Sequence, residues 1–235
     1  MLHITKSNLH LADFSEGCML LIDKPYGFTS FKVVHKIRSR ISDRLKTKLK
    51  IGHAGTLDPL ATGLLILCTG KMTRQIDNYQ ALVKAYSGIF TLGATRPTYD
   101  MESAINQEFD WRHIEPDQIE SVRQSFLGEQ WMTPPIHSAV QIEGKRAYEL
   151  ARKGLEPKLE PRLICIDSLT LDASQMPNIH FKVVCSKGTY IRSLANEFGK
   201  RLESGAYLAE LRRDAIGDFV VDGAWKLDEL LDLLN

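Results

Sequence analysis

The sequence predicts an α+β fold with a mixed, largely antiparallel central sheet flanked by helices. Three observations predict it. Short apolar runs bounded by glycine, proline and small polar residues occur in groups. Single amphipathic stretches at helical spacing interrupt those groups, without a regular strand–helix–strand repeat. The chain is 235 residues long and 43% hydrophobic, ample for a core, and carries no internal repeat or low-complexity segment.

The elements follow in order. Cys18–Ile22 is a short buried strand, ended by the turn cluster Asp23-Lys24-Pro25-Tyr26-Gly27. Thr29 or Ser30 caps a helix whose inner face is expected to be Phe31, Val34, Ile37 and Ile41. Its outer face is basic, and the charge continues to Lys50. Between Phe31 and Lys50 stand eight lysines and arginines against Asp43 alone. Gly52 to Gly70 opens polar and glycine-rich and closes on the apolar run Leu64–Leu67, a buried strand. Thr73–Leu82 reads as a helix, and Lys84–Gly93 alternates as a strand. Ala94–Asn106 is polar and turn-rich. Glu115 or Pro116 opens an amphipathic helix that packs Ile119, Val122, Phe126 and Leu127, with Gly128 as its stop. Ser138–Ile142 is expected to be a strand, and Gly144-Lys145-Arg146 a turn into a helix over Ala147–Lys153. Leu163–Leu171 and Ile179–Cys185 are two further strands. Ile191, Leu194, Ala195 and Phe198 mark the buried face of a helix, Leu208–Val221 is strand-like, and Leu227–Leu234 closes the chain as a helix.

The net charge of +1 predicts no polyanion partner by itself, but the 31–50 tract is a local electrostatic footprint suited to a phosphate backbone. Cys18, Cys68, Cys165 and Cys185 are far apart and mostly inside apolar runs. They read as core residues of a reducing compartment. The N-terminus has no apolar signal region and no run approaches a membrane span, so a cytoplasmic protein without a membrane partner is expected.

No GxxxxGK(S/T) loop, GxGxxG, HExxH or GxSxG pattern occurs, which removes the common nucleotide, zinc-hydrolase and serine-hydrolase readings. Four polar placements remain: Asp58 on its glycine-rich loop, Tyr86 on the following strand, Tyr190-Ile-Arg192 at a strand–helix junction, and Leu211-Arg212-Arg213. Each has a bland reading. Asp before Pro commonly caps a turn, Tyr86 alone is packing, and Arg192 alone is a solvated charge. Together they supply a carboxylate, a stacking aromatic and a guanidinium able to hold the carboxylate ionised, beside a basic tract. That set suits work on a nucleic-acid base.

GHAGTLDPLATGLL at Gly52–Leu65 closely resembles the catalytic loop of the TruB family of tRNA pseudouridine synthases, which make pseudouridine 55 in the T-loop. Leu21-Ile-Asp-Lys-Pro-Tyr-Gly-Phe-Thr-Ser30 resembles the family's N-terminal strand and turn. Lys84-Ala-Tyr86 with Leu92-Gly93 and Asp100 resembles its tyrosine motif. Pro134-Pro135-Ile-His-Ser138-Ala139 with Gly144–Tyr148 resembles its middle motif. Cys185–Arg192 and Leu211-Arg-Arg213 with Gly217 and Phe219 resemble its late motifs. The resemblance runs in order from about Gly17 to Phe219. It implies the pseudouridine synthase fold and one catalytic domain over 1–235, with 31–50 as a basic RNA-binding helix and loop. It also implies that a separate C-terminal PUA-like domain is missing.

Residue by residue, the resemblance implies that Asp58 is the essential carboxylate, that Tyr86 stacks on the extruded base, and that Arg192 pairs with Asp58. His53 would fill the space the uridine leaves, and Tyr190 and Leu211 would line the base pocket. Asp100 would touch the flipped nucleotide or its neighbours, and Lys24 sits near the active site. It implies no cofactor and no metal, the T-arm of tRNA as partner, no required protein partner, and a monomer. Ala54, Tyr207 and Lys71-Met-Thr-Arg74 depart from the family's usual residues. Two other readings compete: a related synthase acting on another RNA, and a non-catalytic tRNA-binding or chaperone module. A pure binder would not need an ionised carboxylate in an apolar pocket, so the Asp58, Tyr86 and Arg192 set weighs against the latter.

Overall fold

The computed structural model describes residues 2–234 apart from Ala139, Glu143, Arg152 and Glu156. The chain forms two compact units, Met1–Tyr86 with Leu211–Asn235, and Ser87–Glu210.

The first unit is organised on the strand Thr62–Thr69, whose last seven residues are all buried. Such a run cannot alternate between core and solvent, and the reason is visible: both faces are covered. Leu65 and Leu67 pack on one side with Val33, Ile37, Ile41, Trp225 and Leu230. Leu64, Ile66 and Cys68 pack on the other with Met72, Tyr79 and Ile216. Cys18–Lys24 runs antiparallel beside it, with Ile22 opposite Leu65 and Lys24 opposite Gly63. On its other side the end of Ala206–Ile216 runs parallel, with Arg213 opposite Gly63. Short strands extend this mixed arrangement, among them Phe219–Val220, antiparallel to the end of Ala206–Ile216. Leu2–Ile4 and Trp225–Lys226 lie parallel to Cys18–Lys24, and Ile51–His53 lies antiparallel to Thr62–Thr69.

The helix Ser30–Leu45 starts as its sequence dictates, with the Thr29 side chain accepting a hydrogen bond from Lys32 N. Its buried residues are Ser30, Val33, Val34, Ile37 and Ile41. Phe31 is not among them and is 66% exposed, which corrects the expected inner face. Phe31 and Val33 lie about 90° to either side of the Val34–Ile37–Ile41 axis, so periodicity could not choose between them. The sheet takes the Val33 flank. The expected helix over Thr73–Leu82 is two pieces, a 3-10 segment over Gly70–Gln75 and an α-helix over Ile76–Ala81. The first turn is tightened by Gly70 N on Lys50 O and by Thr73 Oγ1 on Gly70 O, each at 2.9 Å.

In the second unit Arg162–Gln175 pairs antiparallel with Asn178–Cys185 on one side and with Gly128–Met132 on the other. Its core is aromatic: Phe90 stacks on Phe181 at 4.1 Å, and Phe198 lies 5.7 Å from Phe90 and 6.2 Å from Phe126. The helix Ile191–Arg201 buries Ile191, Leu194, Ala195 and Phe198, the face read from its spacing. The helix Pro116–Gln124 begins with a capping box between Glu115 and Gln118. It ends at Gln124, and Gly128 opens the next strand instead of stopping this helix. Phe126 is buried in the connecting turn beneath the Arg201 guanidinium, 3.9 Å from the ring centre, while Leu127 is exposed. Of the expected strand Ser138–Ile142, Gln141–Ile142 forms a short ladder with Lys145–Arg146, and Ala139 lies outside the described residues. Among the described residues no helix is long and apolar enough to cross a membrane.

Candidate active site

The loop from Ala54 to Ala61 carries Asp58, and the first unit fixes it by a row of three residues on neighbouring strands: Lys24, Gly63 and Arg213. Gly63 has φ +102, and a Cβ there would lie 2.3 Å from the Arg213 carbonyl oxygen. Only glycine lets the two strands meet at the mouth of the loop. Arg213 is 1% exposed. Its Nε donates to Leu64 O at 2.7 Å and its Nη2 to Gly55 O at 3.0 Å, so one guanidinium ties together the two ends of the loop. Gly55, at φ +98, makes the turn between them.

Lys24 has no exposed surface. Its Nζ donates to Pro25 O at 3.0 Å, to Phe28 O at 2.6 Å and to Pro59 O at 3.3 Å, which joins the Pro25–Phe28 turn to the residue after Asp58. Burial pushes its pKa down to about 8, and the Arg213 charge pushes the same way against the opposing pull of Asp58. Two further bonds run from that turn to the loop. Gly27 N donates to Pro59 O at 2.9 Å, and Ser30 Oγ bonds both Leu57 O and Leu57 N at 3.0 and 2.9 Å. Ala54, Leu57 and Ala61 point inward and are buried. Asp58 and Tyr86 are half-buried.

His53 ends the short strand before the loop. Burial and then Arg213 lower its pKa, so the neutral imidazole is favoured. The Gly55 backbone lies near enough to favour the protonated ring, yet Nδ1 is buried outside hydrogen-bond geometry. Beside the row, Asp23 accepts two bonds from Arg212, each at 3.0 Å, and one from Lys226. Burial raises the Asp23 pKa, but those bonds outweigh it and hold the carboxyl below its ordinary value. Leu211 is half-buried at the start of this segment.

The second unit holds the remaining candidates. The Arg192 guanidinium donates to Thr98 O at 3.3 Å and His137 O at 3.0 Å, and its Nε stands 3.6 Å from Asp100 Oδ2. Both side chains are 7% exposed. Asp100 also accepts from Thr98 Oγ1 at 2.6 Å and Glu102 N at 3.0 Å, and Tyr99 sits at φ +62. Tyr190 is the residue before the helix that carries Arg192. Tyr207, one of the unusual residues, packs under the Arg96 guanidinium at 4.5 Å. Among the described residues no group of three or more His, Cys, Asp or Glu side chains is placed to hold a metal ion.

The Arg192–Asp100 pair and the loop-holding role of Arg213 were not foreseen. The second had a visible signal, a buried-strand arginine following Leu211 and a glycine at the mouth of the loop. The first had none, because ninety residues separate the partners.

The chain is similar to known proteins in both sequence and fold. A family model described as TruB family pseudouridylate synthase (N terminal domain) matches residues 43–191. The chain is 47% identical over 221 residues to tRNA pseudouridine synthase B of Bacteroides fragilis, covering 94% of this chain and 92% of that protein. It is 48% identical to the protein of the same name from Flavobacterium johnsoniae, covering 90% and 93%. Among solved structures, a chain of a Cbf5-Nop10-Gar1 complex superposes with TM-score 0.68 at 27% identity over 93% of this chain. The chain spans about half the length of that solved chain, 54%.

Proposed function

The chain belongs to the TruB family of pseudouridylate synthases, and from that premise we propose that it converts uridine to pseudouridine at position 55 in the T-loop of tRNA. The observation that carries this reading is the cross-strand row Lys24–Gly63–Arg213, which immobilises the Asp58 loop through its carbonyl oxygens. A carboxylate held this rigidly suits a reaction that needs no outside reagent. The bond from ribose C1′ to uracil N1 breaks, the ring turns while bound, and a bond from C1′ to C5 forms. The C5 proton leaves and N1 gains one. Asp58 is the essential carboxylate of this sequence, and Tyr86 stacks on the extruded base. Extrusion costs a few kcal/mol, which stacking and phosphate contacts offset.

His53 takes the place of the extruded base, in keeping with a neutral ring at the lip of the loop. Lys24 acts by holding Pro59. Tyr190 and Leu211 line the base, Arg192 keeps the catalytic carboxylate anionic, and Asp100 touches the flipped nucleotide or its neighbours. Eight lysines and arginines over 31–50 meet the tRNA backbone. The protein acts as a cytoplasmic monomer on the T-arm.

The test is direct. Unmodified tRNA is incubated with the protein and with an Asp58→Asn variant, and pseudouridine is mapped along the chain. Product at the T-loop uridine with the unvaried protein alone is the expected result. Absence of product in tRNA rejects the proposal, and product from the variant rejects the role of Asp58.

A further inference from the structure

Phe31 was expected in the core and stands in solvent, and its surroundings are not those of an ordinary charged surface. A concavity of about 330 Å³ opens beside the same helix, lined by His35, Arg38, Ser39, Ser42, Lys48 and Leu49. The lining has two cations, an imidazole and two hydroxyls, and no carboxylate. Asp43, the one acid between Phe31 and Lys50, accepts a long bond from Ser39 Oγ at 3.5 Å and is not part of the lining.

The concavity is built by the end of the helix. Lys46 takes φ +54 and Thr47 N returns to Ser42 O at 3.3 Å. Leu49, 7% exposed, donates its N–H to Ser42 Oγ at 3.3 Å. Residues 31, 35, 38 and 42 fall on one stripe of an α-helix. The Phe31 and His35 rings lie 6.3 Å apart along it. At the stripe's other end the chain joins the Asp58 loop through the Ser30–Leu57 bonds, with Tyr26 64% exposed in the turn before.

We propose that this stripe binds one strand of the nucleic-acid substrate away from the reacting nucleotide. Phe31 stacks on a base, His35 continues the aromatic step, and the concavity takes a backbone phosphate between Arg38 and Lys48. An exposed aromatic in line with cations is the arrangement that single-stranded nucleic acid uses, because every base has a face to stack and every linkage a charge. The inference rests on the reading of the protein as an RNA-modifying enzyme and names where that RNA is gripped.

The test is tRNA binding as a function of salt, measured in Asp58→Asn protein so that the RNA stays unmodified. Removing Arg38 and Lys48 together (Arg38→Ala with Lys48→Ala) is expected to weaken binding about tenfold and to make the slope of log K against log salt shallower by about one phosphate contact. Phe31→Ala is expected to weaken binding by about fivefold to a hundredfold with the slope unchanged, and Phe31→Trp to restore it. Lys200→Ala, an exposed cation on the second unit, controls for loss of charge alone and leaves the slope in place. An unaltered slope in the double variant, unaltered affinity in Phe31→Ala, or displacement of tRNA by polyglutamate of equal charge overturns the proposal, the last in favour of an acidic protein. Failure of the unvaried protein to make pseudouridine in tRNA overturns the proposed activity instead, and the binding slopes still decide the stripe.

Discussion

Two loops of this protein each present an aspartate, and they are held in opposite ways. The Asp58 loop is fixed through its backbone: Lys24, Arg213, Gly27 and Ser30 reach the carbonyl and amide groups of Gly55, Leu57, Pro59 and Leu64. The Arg96–Ser103 loop is fixed through the aspartate itself, since the Asp100 carboxylate takes bonds from Thr98 and Glu102 and the charge of Arg192. The difference teaches what the shape of each loop depends on. A loop gripped by its backbone can present a side chain without depending on it. A loop knotted around a carboxylate depends on that group for its shape.

The largest expected effect separates the two at once. Asp58→Asn should lower the rate of pseudouridine formation by about a thousandfold or more, while the denaturation midpoint stays within the shift of about 0.5–1 kcal/mol usual for a half-exposed isosteric change. Asp100→Asn should do the reverse in kind, costing about 1–3 kcal/mol of stability because the buried bonds from Thr98 and Glu102 and the Arg192 charge lose their carboxylate. Equal destabilisation by the two variants would break the comparison.

Next in size is Arg213→Met. It leaves the Gly55 and Leu64 carbonyl oxygens without their donor, at about 1–3 kcal/mol each. Hydrogen exchange should quicken first in the amides around Asp58, while those around Asp100 stay protected.

A smaller effect follows pH. Burial lowers the folded pKa of Lys24 to about 8 from the ordinary lysine value of 10.5. Between these values the unfolded chain binds the proton and the folded one does not, so this group's contribution to stability rises with pH, by at most about 1.4 kcal/mol per unit. The neutral amine has one donor fewer for its three carbonyl partners, so turnover should fall as pH passes about 8. A rate that keeps climbing to pH 10 would mean Lys24 does not hold the loop. The smallest effect expected is Tyr207→Ala, which removes the ring under Arg96 and should cost about 1 kcal/mol.

What was legible in the sequence was local. Thr29 as a cap, the Ile191–Phe198 face and the buried Leu64–Leu67 run follow from spacing within one element, and the family followed from a resemblance carried by motifs in order along the chain. Packing between distant segments was not legible. Phe31 and Val33 were equivalent by periodicity, and Asp100, one of the groups that Arg192 meets, is remote from it in sequence. Arg213 could have been surface until Gly63 was seen to admit its backbone.

The end of the strand Cys18–Lys24 carries one more consequence. Successive residues face opposite ways, so Asp23 meets Arg212 and Lys226 while Lys24 meets the carbonyls of the loop. A slip of one residue in pairing would set an acid against those carbonyl oxygens and a lysine against two cations. The two neighbours thus act as a parity bit: the strand assembles in one frame, and only that frame delivers a cation to the base of the Asp58 loop.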